Sequence, residues 1–599
     1  MVKQLPKRNE VSESMTWDLS LIYQSDAEFE AAFKEIQESL PKLASLKGSL
    51  SQGADALRHA LEAILAVDRK LEKLYVYTSL RSDVDTSDSV NLALNSRAES
   101  LAADFSADTA WFEPELLALP EVDLSKMINS DTELQKYRHY FDAVNQQRGH
   151  VLSANEEKLL AGAGDIFASS SRTFSMINDS DLEFGNVKDE TGDEVQLSQG
   201  VYDTLIKSTD RAVRKQAFEK LYEVYRQFRN TLASTLSGEV KTHNYLAKTH
   251  HYETARQQAL SNNHIPEAVF ETLVSSVNNH LGLLHRYVKL RQKVLKLDDL
   301  HMYDMYTPIT GEPSLSYTYE EAKATALDAL KVFGDDYVSH VKEAFDSRWI
   351  DVTENKGKRS GAYSGGAYDT APYMLLNWQD DLDNLYTLVH EMGHSMHSWY
   401  TRHNQPYQYG DYSIFVAEIA STTNENILTD YLLEKYQDPK VRAYVLNFYL
   451  DGFKGTIFRQ TQFAEFEHFI HTEDAQGNPL TSDMMSDFYG DLNARYYGDA
   501  VARDPQIALE WSRIPHFYYN YYVYQYATGF AAATALANGV VNGDQTNRDA
   551  YLTYLKSGSS NYPIDVMKLA GVDMTKPDYL EDAFKIFEQR LNELESIIG

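Results

Sequence analysis

Helical periodicity runs through most of this chain of 599 residues and limits the folds open to it. Apolar residues recur at spacings of three and four over long stretches, which is typical of the buried face of an amphipathic helix. The pattern shows no sustained heptad and no repeat of solenoid length. We therefore expect a mainly α fold, with helices over residues 25–43, 55–80, 210–236, 413–436 and 440–471.

Strand signals are few. Residues 181–200 contain "LEFGNV" and "EVQLS" on either side of a turn at residues 191–193, which predicts a hairpin. A second strand is expected in "PYMLLNW", residues 372–378, after a glycine-rich stretch. Because no glycine-, serine- or proline-rich linker separates two halves of the chain, we expect one mainly helical body with a small sheet.

The charge and the cysteine count narrow the function. Lys and Arg total 56 and Asp and Glu total 88, so the formal net charge is −32. Such a surface would repel a nucleic-acid backbone and disfavours binding to an anionic membrane, so we expect neither partner. The chain has no cysteine, so any metal ion must be held by His, Asp or Glu side chains.

The composition and the first residues favour a soluble, cytoplasmic protein. Hydrophobic residues make up 43% of the chain, which is enough for a sizeable core. The first twenty residues contain no apolar core of signal-peptide length. No run approaches the roughly 20 apolar residues that span a bilayer. The sequence does not indicate an oligomeric state.

The stretch "LYTLVHEMGHSMHSWY", residues 385–400, contains the pattern H-E-x-x-H at His390, Glu391 and His394. On a helix, positions i and i+4 lie on one face, so both imidazoles can point at one metal ion. Glu391 lies beside the first ligand and can reach a water without binding the metal, which suits a general base. The alternative is an ordinary amphipathic helix with hydrogen-bonded histidines.

Two details of this predicted helix follow from its geometry. Asp383 or Asn384 is expected to cap its N-terminus. His397 shares the face of His390 but lies about 10 Å further along the helix axis, which is too far for both rings to bind one ion. We therefore expect His397 to lie in the core or beside the ligands.

A third ligand is expected in the amphipathic helix of residues 413–436. Glu418 lies within the apolar sequence "FVAEIA", where an unpaired charge would be costly to bury and a metal ion would compensate it. Glu425 lies two turns later on the same face and is expected to orient a ligand histidine. The alternative is a half-exposed helix with surface glutamates.

With these residues in place, the chain resembles the oligoendopeptidase F family, bacterial relatives of thimet oligopeptidase. The resemblance extends nearly from end to end. It rests on the segments "TWDLSLIY", "DRAVRKQAFEKLYEVYRQFRNTLAS", "GKRSGAYSGG", "LVHEMGHSMH", "VAEIASTTNE", "RIPHFYYNYYVYQYATGFAAA" and "SGSSNYPIDVMKLAGVDM".

The resemblance implies a large, mainly α-helical ellipsoid of two lobes around a deep channel, with a small sheet near the active site. It implies one Zn²⁺ per chain, held by His390, His394 and Glu418, with Glu391 catalytic. The implied reaction is cleavage of internal bonds in short unstructured peptides, because a folded protein cannot enter a narrow channel. The implied regions are an N-terminal helical region (1–115), an oligoendopeptidase F N-terminal-type region (116–200) and the zinc peptidase domain (201–599).

The family also supplies a histidine and tyrosines that stabilise the oxyanion. In "RIPHFYYNYYVYQYATGF", residues 513–530, the resemblance points to His516 and Tyr519 for this role. Tyr522 and Tyr526 are weaker candidates and are expected to bind substrate. The alternative for most of this cluster is a tyrosine-rich core helix.

The segment "GKRSGAYSGG" precedes the second predicted strand. Its glycines allow close approach of another backbone, so an extended peptide could add to an edge strand here. Gly361 and Ala362 are the expected substrate-binding residues. The alternative is a turn without a ligand.

Three functions remain open at this stage. The first is zinc-dependent endohydrolysis of oligopeptides, and the second is a carboxypeptidase or dipeptidase with the same motif. The second would need a positive anchor for the terminal carboxylate, and no single Arg or Lys stands out for that role. The third is a non-catalytic peptide-binding scaffold. Cobalt or manganese could replace zinc at a site with two nitrogen ligands and one oxygen ligand.

Overall fold

The structure is a computed structural model that describes residues 4–311 and 315–599. Helices predominate in these residues, and the strands form two small sheets, so the mainly α prediction is confirmed. In chain order the α-helices are α1 (Asp26–Ala44), α2 (Ala54–Asp83), α3 (Ser89–Thr109), α4 (Phe112–Ala118), α5 (Glu121–Ser130), α6 (Arg138–Gln146), α7 (Ala154–Gly162), α8 (Gly164–Phe167), α9 (Ser169–Met176), α10 (Gln199–Leu205), α11 (Arg211–Thr249), α12 (Ala255–Ser261), α13 (Glu267–Asn279), α14 (Leu281–Leu295), α15 (Tyr319–Ala329), α16 (Asp335–Asp346), α17 (Leu382–Asn404), α18 (Ile414–Lys435), α19 (Pro439–Phe453), α20 (Arg459–Ala475), α21 (Ser482–Tyr497), α22 (Tyr524–Asn542), α23 (Gln545–Ser557), α24 (Pro563–Leu569) and α25 (Asp578–Ile598).

The chain forms two compact units, each built from three separate segments. The first unit consists of Met1–Gly149, Leu315–Leu428 and Leu536–Gly571. The second unit consists of His150–Ser314, Thr429–Ala535 and Val572–Gly599. No helix in the part of the chain that the structure describes is long and apolar enough to cross a membrane.

The first unit contains the larger sheet, formed by β3 (Ile350–Asp351), β4 (Tyr363–Gly365) and β5 (Tyr373–Leu375). Strand β5 lies in the centre, parallel to β3 and antiparallel to β4, so β4 is an edge strand. The strand predicted within residues 372–378 is β5. Its Tyr373 and Leu375 are fully buried in a core with residues of α1, α2 and α3, which anchors the sheet.

The second unit contains the predicted hairpin, formed by β1 (Asn186–Lys188) and β2 (Glu194–Gln196) in antiparallel register. Its longest helix is α11, which has 39 residues and buries one apolar face. The helix predicted over 440–471 is present as α19 and α20, joined by a π-helical turn at Lys454–Phe458.

The cap predicted for α17 is wrong by two or three positions. The helix begins at Leu382, and the Asp381 carboxylate accepts a hydrogen bond of 2.7 Å from the backbone N–H of Asn384. The sequence "DDLDN" offers four side chains able to cap a helix, and the backbone leaves the extended conformation after Asp381. Asp383 and Asn384 therefore lie inside the first turn.

Candidate metal centre

Helix α17 presents the two histidines of H-E-x-x-H on one side. Its opposite face, which includes Leu385, Leu388 and Met392, is fully buried and holds the helix in the first unit. The rings of His390 and His394 are partly exposed, with centroids 4.9 Å apart and planes at 80°. The two rings are therefore adjacent, one turn apart, and accessible.

Helix α18 brings Glu418 to both rings. Its Oε2 lies 3.3 Å from Nε2 of His390 and 3.3 Å from Nε2 of His394. Burial acts to raise the pKa of the Glu418 carboxyl, but hydrogen bonds from the two rings outweigh it and hold the pKa well below its usual range. The side chain of Glu418 is still 48% exposed, so the group is open on one side.

These three side chains fit a metal ion. Each offers one ligand atom, and the three atoms lie within 4.8 Å of one another. A tetrahedral ion with bonds of about 2.1 Å places its ligand atoms about 3.4 Å apart. The observed separations of 3.3 Å from Glu418 to each ring match this spacing. Two imidazole nitrogens and one carboxylate leave the fourth tetrahedral position for a water or a substrate.

Glu425 contacts the other side of the His390 ring. Its Oε1 lies 2.6 Å from Nδ1 of His390. The carboxylate accepts a hydrogen bond from Nδ1–H, and this contact holds the ring with Nε2 directed at Glu418. The predicted orienting contact is therefore present in the structure.

Glu391 lies on the same helix, and only 7% of its surface is exposed. Burial raises the pKa of its carboxyl, while His390 and His394 act in the opposite direction. The backbone N–H of Ser364, in edge strand β4, also favours the charged form. The carboxylate is thus shielded from bulk water.

His397 lies outside the ligand group. It is almost fully buried, and its ring stacks on Tyr412 with centroids 3.6 Å apart. Its Nδ1 has no hydrogen-bond partner within residues 4–311 and 315–599. Burial lowers the pKa of His397 well below its usual value, so the ring stays neutral. His397 is therefore a core residue, which is one of the two locations expected from the sequence.

The four residues predicted from the tyrosine-rich segment form one cluster in the second unit. The ring centroid of His516 lies 5.7 Å from that of Tyr519, 6.3 Å from that of Tyr522 and 6.0 Å from that of Tyr526. Tyr519 is 55% exposed, and the other three are half-buried. Burial, together with the charge of Arg459, lowers the pKa of His516, so its ring is neutral near pH 7.

Gly361 and Ala362 lie immediately before edge strand β4 rather than within it. Gly361 has φ +82°, a conformation that favours glycine, and a Cβ added there would meet no atom within 4 Å. The Gly361 carbonyl accepts a hydrogen bond of 2.8 Å from the Asn377 side chain, which fixes this bend beside the strand.

Comparison with known proteins assigns the chain to a family. The model of Peptidase family M3 matches residues 204–586, which is more than half of the chain. The chain belongs to peptidase family M3. It is therefore a metallopeptidase, and the His390, His394 and Glu418 group is its candidate metal site. A second model, described as Oligopeptidase F, matches residues 115–184 of this M3 peptidase.

Relatives of this M3 peptidase match over nearly their full lengths. Group B oligopeptidase PepB of Streptococcus agalactiae is 52% identical, with 99% of this chain and 98% of that protein covered. The solved structure of oligoendopeptidase-F from Enterococcus faecium has a TM-score of 0.74 at 51% identity, covering 96% of this chain and 99% of that one. A solved structure from Chlamydophila abortus has a TM-score of 0.94 at 35% identity, covering 99% and 100%. The predicted membership of the oligoendopeptidase F group is confirmed.

Three residues that the sequence analysis passed over also build this centre. A Cβ at Gly393 would lie 2.6 Å from Cα of Ser421, so the glycine allows α17 and α18 to touch. The Asn424 side chain donates a hydrogen bond of 3.2 Å to the Val389 carbonyl, which ties the same two helices together. The Ser395 hydroxyl, 2.8 Å from the Ser364 hydroxyl, joins α17 to β4. A glycine within a predicted helix was the one signal in the sequence for these contacts.

Proposed function

We propose that this M3 peptidase is a zinc endopeptidase that hydrolyses internal bonds of short, unstructured oligopeptides. The observation that carries the proposal is the spacing of 3.3 Å from Oε2 of Glu418 to Nε2 of each histidine of H-E-x-x-H. Relatives that match nearly the whole chain are described as an oligopeptidase and an oligoendopeptidase, which supports the substrate class.

His390, His394 and Glu418 would hold one Zn²⁺ per chain. When bound there, zinc would supply a Lewis acid that polarises a peptide carbonyl and acidifies water. Glu425 would keep the His390 ring oriented through its contact at Nδ1.

Glu391 would be the general base and acid of the reaction. It would take a proton from the attacking water and return it to the leaving nitrogen. Burial raises the pKa of its carboxyl, which brings the group closer to a value suited to both steps. His516 and Tyr519 would donate hydrogen bonds to the oxyanion, each contributing roughly 3 kcal/mol in sites of this kind.

Substrate binding would use edge strand β4 and the tyrosines near His516. Strand β4 has one side unpaired by another strand within the described residues, so an extended peptide could add to it by main-chain hydrogen bonds. Gly361 and Ala362 would lie beside that peptide, and Tyr522 and Tyr526 would contact its side chains. Main-chain recognition would accept many sequences.

The variant Glu391→Gln tests the mechanism. We expect it to bind zinc stoichiometrically but to lose about 10²- to 10⁴-fold in turnover of an internally quenched peptide, because the base is gone. The variant Glu434→Gln, at an exposed position of α18, is the matched control and should keep full turnover. Full activity of a zinc-loaded Glu391→Gln enzyme would overturn the mechanism.

A peptide blocked at both ends tests the mode of cleavage. An endopeptidase cleaves it at internal bonds, and mass spectrometry of the products identifies those bonds. A carboxypeptidase or a dipeptidase needs a free terminus, so cleavage restricted to the unblocked peptide would contradict the proposal.

A further inference from the structure

The segment that carries the histidine and tyrosine cluster contains an unusual bend. Asn520 has φ +47° and Tyr521 has φ +57°, so two successive residues with side chains adopt the left-handed conformation. Residues other than glycine rarely do so, because Cβ approaches the backbone carbonyl. The bend at residues 520–521 lies between Tyr519 and Tyr522 and therefore decides how those two rings meet His516.

Helix α20 holds this bend at two points on Tyr521. The Glu467 carboxyl group accepts a hydrogen bond of 2.6 Å from the Tyr521 backbone N–H at Oε1. The next residue of the helix, His468, places Nδ1 3.1 Å from the Tyr521 hydroxyl. Tyr521 is 3% exposed, and its ring packs edge-on against that of Phe270, with centroids 5.8 Å apart. The main chain and the ring tip of Tyr521 are thus fixed by one helix.

A glutamate at position 467 is expected to reduce the stability of the fold. It is completely buried, and its Oε2 has no hydrogen-bond partner within the part of the chain that is described. A buried carboxyl that is only partly hydrogen-bonded usually destabilises a fold relative to an apolar side chain of the same size. Packing alone therefore does not account for a glutamate at this position, whereas the hydrogen bond to Tyr521 gives it a defined task.

We propose that Glu467 is a positioning residue for catalysis. By accepting the Tyr521 N–H it stabilises the left-handed bend, and the bend sets the arrangement of Tyr519 and Tyr522 around His516. The inference rests on the proposed function, in which His516 and Tyr519 stabilise the oxyanion. Glu467 itself contacts neither the substrate nor the metal in this account.

The variants Glu467→Gln and Glu467→Met form a matched pair for the test. The two side chains are similar in size, but only glutamine keeps an acceptor for the Tyr521 N–H. We expect Glu467→Gln to keep kcat for an internally quenched peptide near the wild-type value. We expect Glu467→Met to lower kcat about 10- to 100-fold, since small misplacements of catalytic groups have effects of this size. KM and zinc content should change little.

Two further variants separate positioning from general stability. In a Glu467→Met background, Asn520→Gly should restore part of the lost kcat, because glycine adopts the left-handed conformation without a side-chain penalty. In a His516→Ala background, Glu467→Met should have little further effect, since the group that it positions is absent. A loss of stability alone would lower the activity of the His516→Ala background as well, so this second result separates positioning from stability.

Three outcomes would overturn the inference. The first is an unchanged kcat in Glu467→Met while His516→Ala is impaired, which would leave the proposed function intact. The second is a loss in Glu467→Met that Asn520→Gly does not relieve. The third is full activity of His516→Ala, which would remove the proposed role of His516 as well. If Glu467→Met does not fold, Tyr521→Phe removes only the contact at the ring tip. Tyr521→Phe should also lower kcat, and an unchanged kcat in this variant would overturn the inference.

Discussion

At the scale of single residues, the candidate metal centre depends on the proton positions of one histidine. The Glu425 carboxylate is 2.6 Å from Nδ1 of His390, and Oε2 of Glu418 is 3.3 Å from Nε2. A carboxylate at Nδ1 fixes the tautomer and makes Nε2 a better electron donor to a metal ion. The sequence could predict Glu425, because it follows Glu418 by two helical turns on one face.

The first prediction concerns Glu425→Gln. Glutamine can still accept the hydrogen bond but lacks the negative charge, so we expect zinc affinity to fall about tenfold. Competition with a chromophoric chelator measures the affinity directly. Glu434→Gln on the same helix is the matched control and should leave the affinity unchanged. Equal affinities for the two variants would contradict the role given to Glu425.

A second pair of neighbouring histidines, His243 and His471, is buried in the second unit. The Nδ1–H of His471 donates a hydrogen bond to the Glu467 carbonyl at 2.8 Å, so its Nε2 is unprotonated. That Nε2 lies 3.1 Å from Nδ1 of His243 and accepts a hydrogen bond from the Nδ1–H group. Burial and the neighbouring His243 lower the pKa of His471 to about 3. A proton added to His471 would place two N–H groups against each other.

The second prediction concerns acid stability. The pKa of His471 is about 3 in the folded protein and about 6.5 in an unfolded chain, so only the unfolded state takes up a proton between these values. The free energy of unfolding should therefore fall as the pH falls below about 6.5, by up to about 1.4 kcal/mol per pH unit from this group. Urea midpoints at pH 7.5 and pH 5 should differ less for His471→Asn than for the wild type. His59→Asn, at an exposed position of α2, should behave as the wild type, and a His471→Asn curve parallel to the wild type would refute the prediction.

At the scale of secondary-structure elements, the crossing of α17 and α18 decides whether a third ligand can reach the histidines. A Cβ at Gly393 would lie 2.6 Å from Cα of Ser421 and 2.8 Å from the Ala420 carbonyl oxygen. Neither backbone atom can move without shifting α18, and Glu418 is one turn from this contact. The glycine inside H-E-x-x-H thus brings the two helices together at the metal site.

The third prediction concerns Gly393→Ala. The added methyl group should push α18 away, which we expect to cost about 1–3 kcal/mol of stability and to weaken zinc binding sharply. Zinc content after dialysis and the unfolding midpoint measure the two effects. Gly452→Ala in α19 is the control, since its Cβ would meet nothing within 4 Å. That variant should be neutral or slightly stabilising, because alanine favours a helix. A Gly393→Ala protein that retains zinc as firmly as the control would contradict the argument.

Local sequence patterns predicted which helices and strands are present better than they predicted where those elements end and how they connect. The periodicity indicated α1, α2 and α11, because one buried face leaves a repeat of apolar residues. It could not choose Asp381 as the cap of α17 among four neighbouring candidates, nor place the π-helical turn at Lys454–Phe458. These choices depend on packing against other elements. The left-handed backbone conformation of Asn520 and Tyr521 could not be predicted either, since neither residue is a glycine.

At the scale of the whole molecule, the two compact units could not be predicted from sequence patterns. Each unit combines three segments that are far apart in the chain, and no local signal records which distant segments pack together. The expectation of one body came from the lack of a flexible linker, and the two-unit division needs no such linker. The boundaries predicted at residues 115 and 200, and the deep channel implied by the resemblance, stay predictions.

The net charge is a property of the whole chain that can be read directly from the sequence. The last prediction depends on it. A formal charge of −32 creates a negative potential around the molecule, which attracts cationic peptides and repels anionic ones. Added salt shortens the range of this field, to about 10 Å at 0.1 M ionic strength. For two peptides with the same cleaved core, kcat/KM should fall with added NaCl when lysines flank the core and rise when glutamates flank it.

The difference between the two peptides should be about tenfold or more at low salt and should shrink as salt is added. An uncharged peptide with the same core controls for direct effects of salt on the enzyme, and mass spectrometry checks that all three are cut at the same bond. The outcome depends on which of the two charged peptides has the higher kcat/KM at low salt. If the glutamate-flanked peptide is the better substrate at low salt, local positive charge at the site outweighs the field of the whole molecule. In that case the acidic surface plays no part in substrate capture.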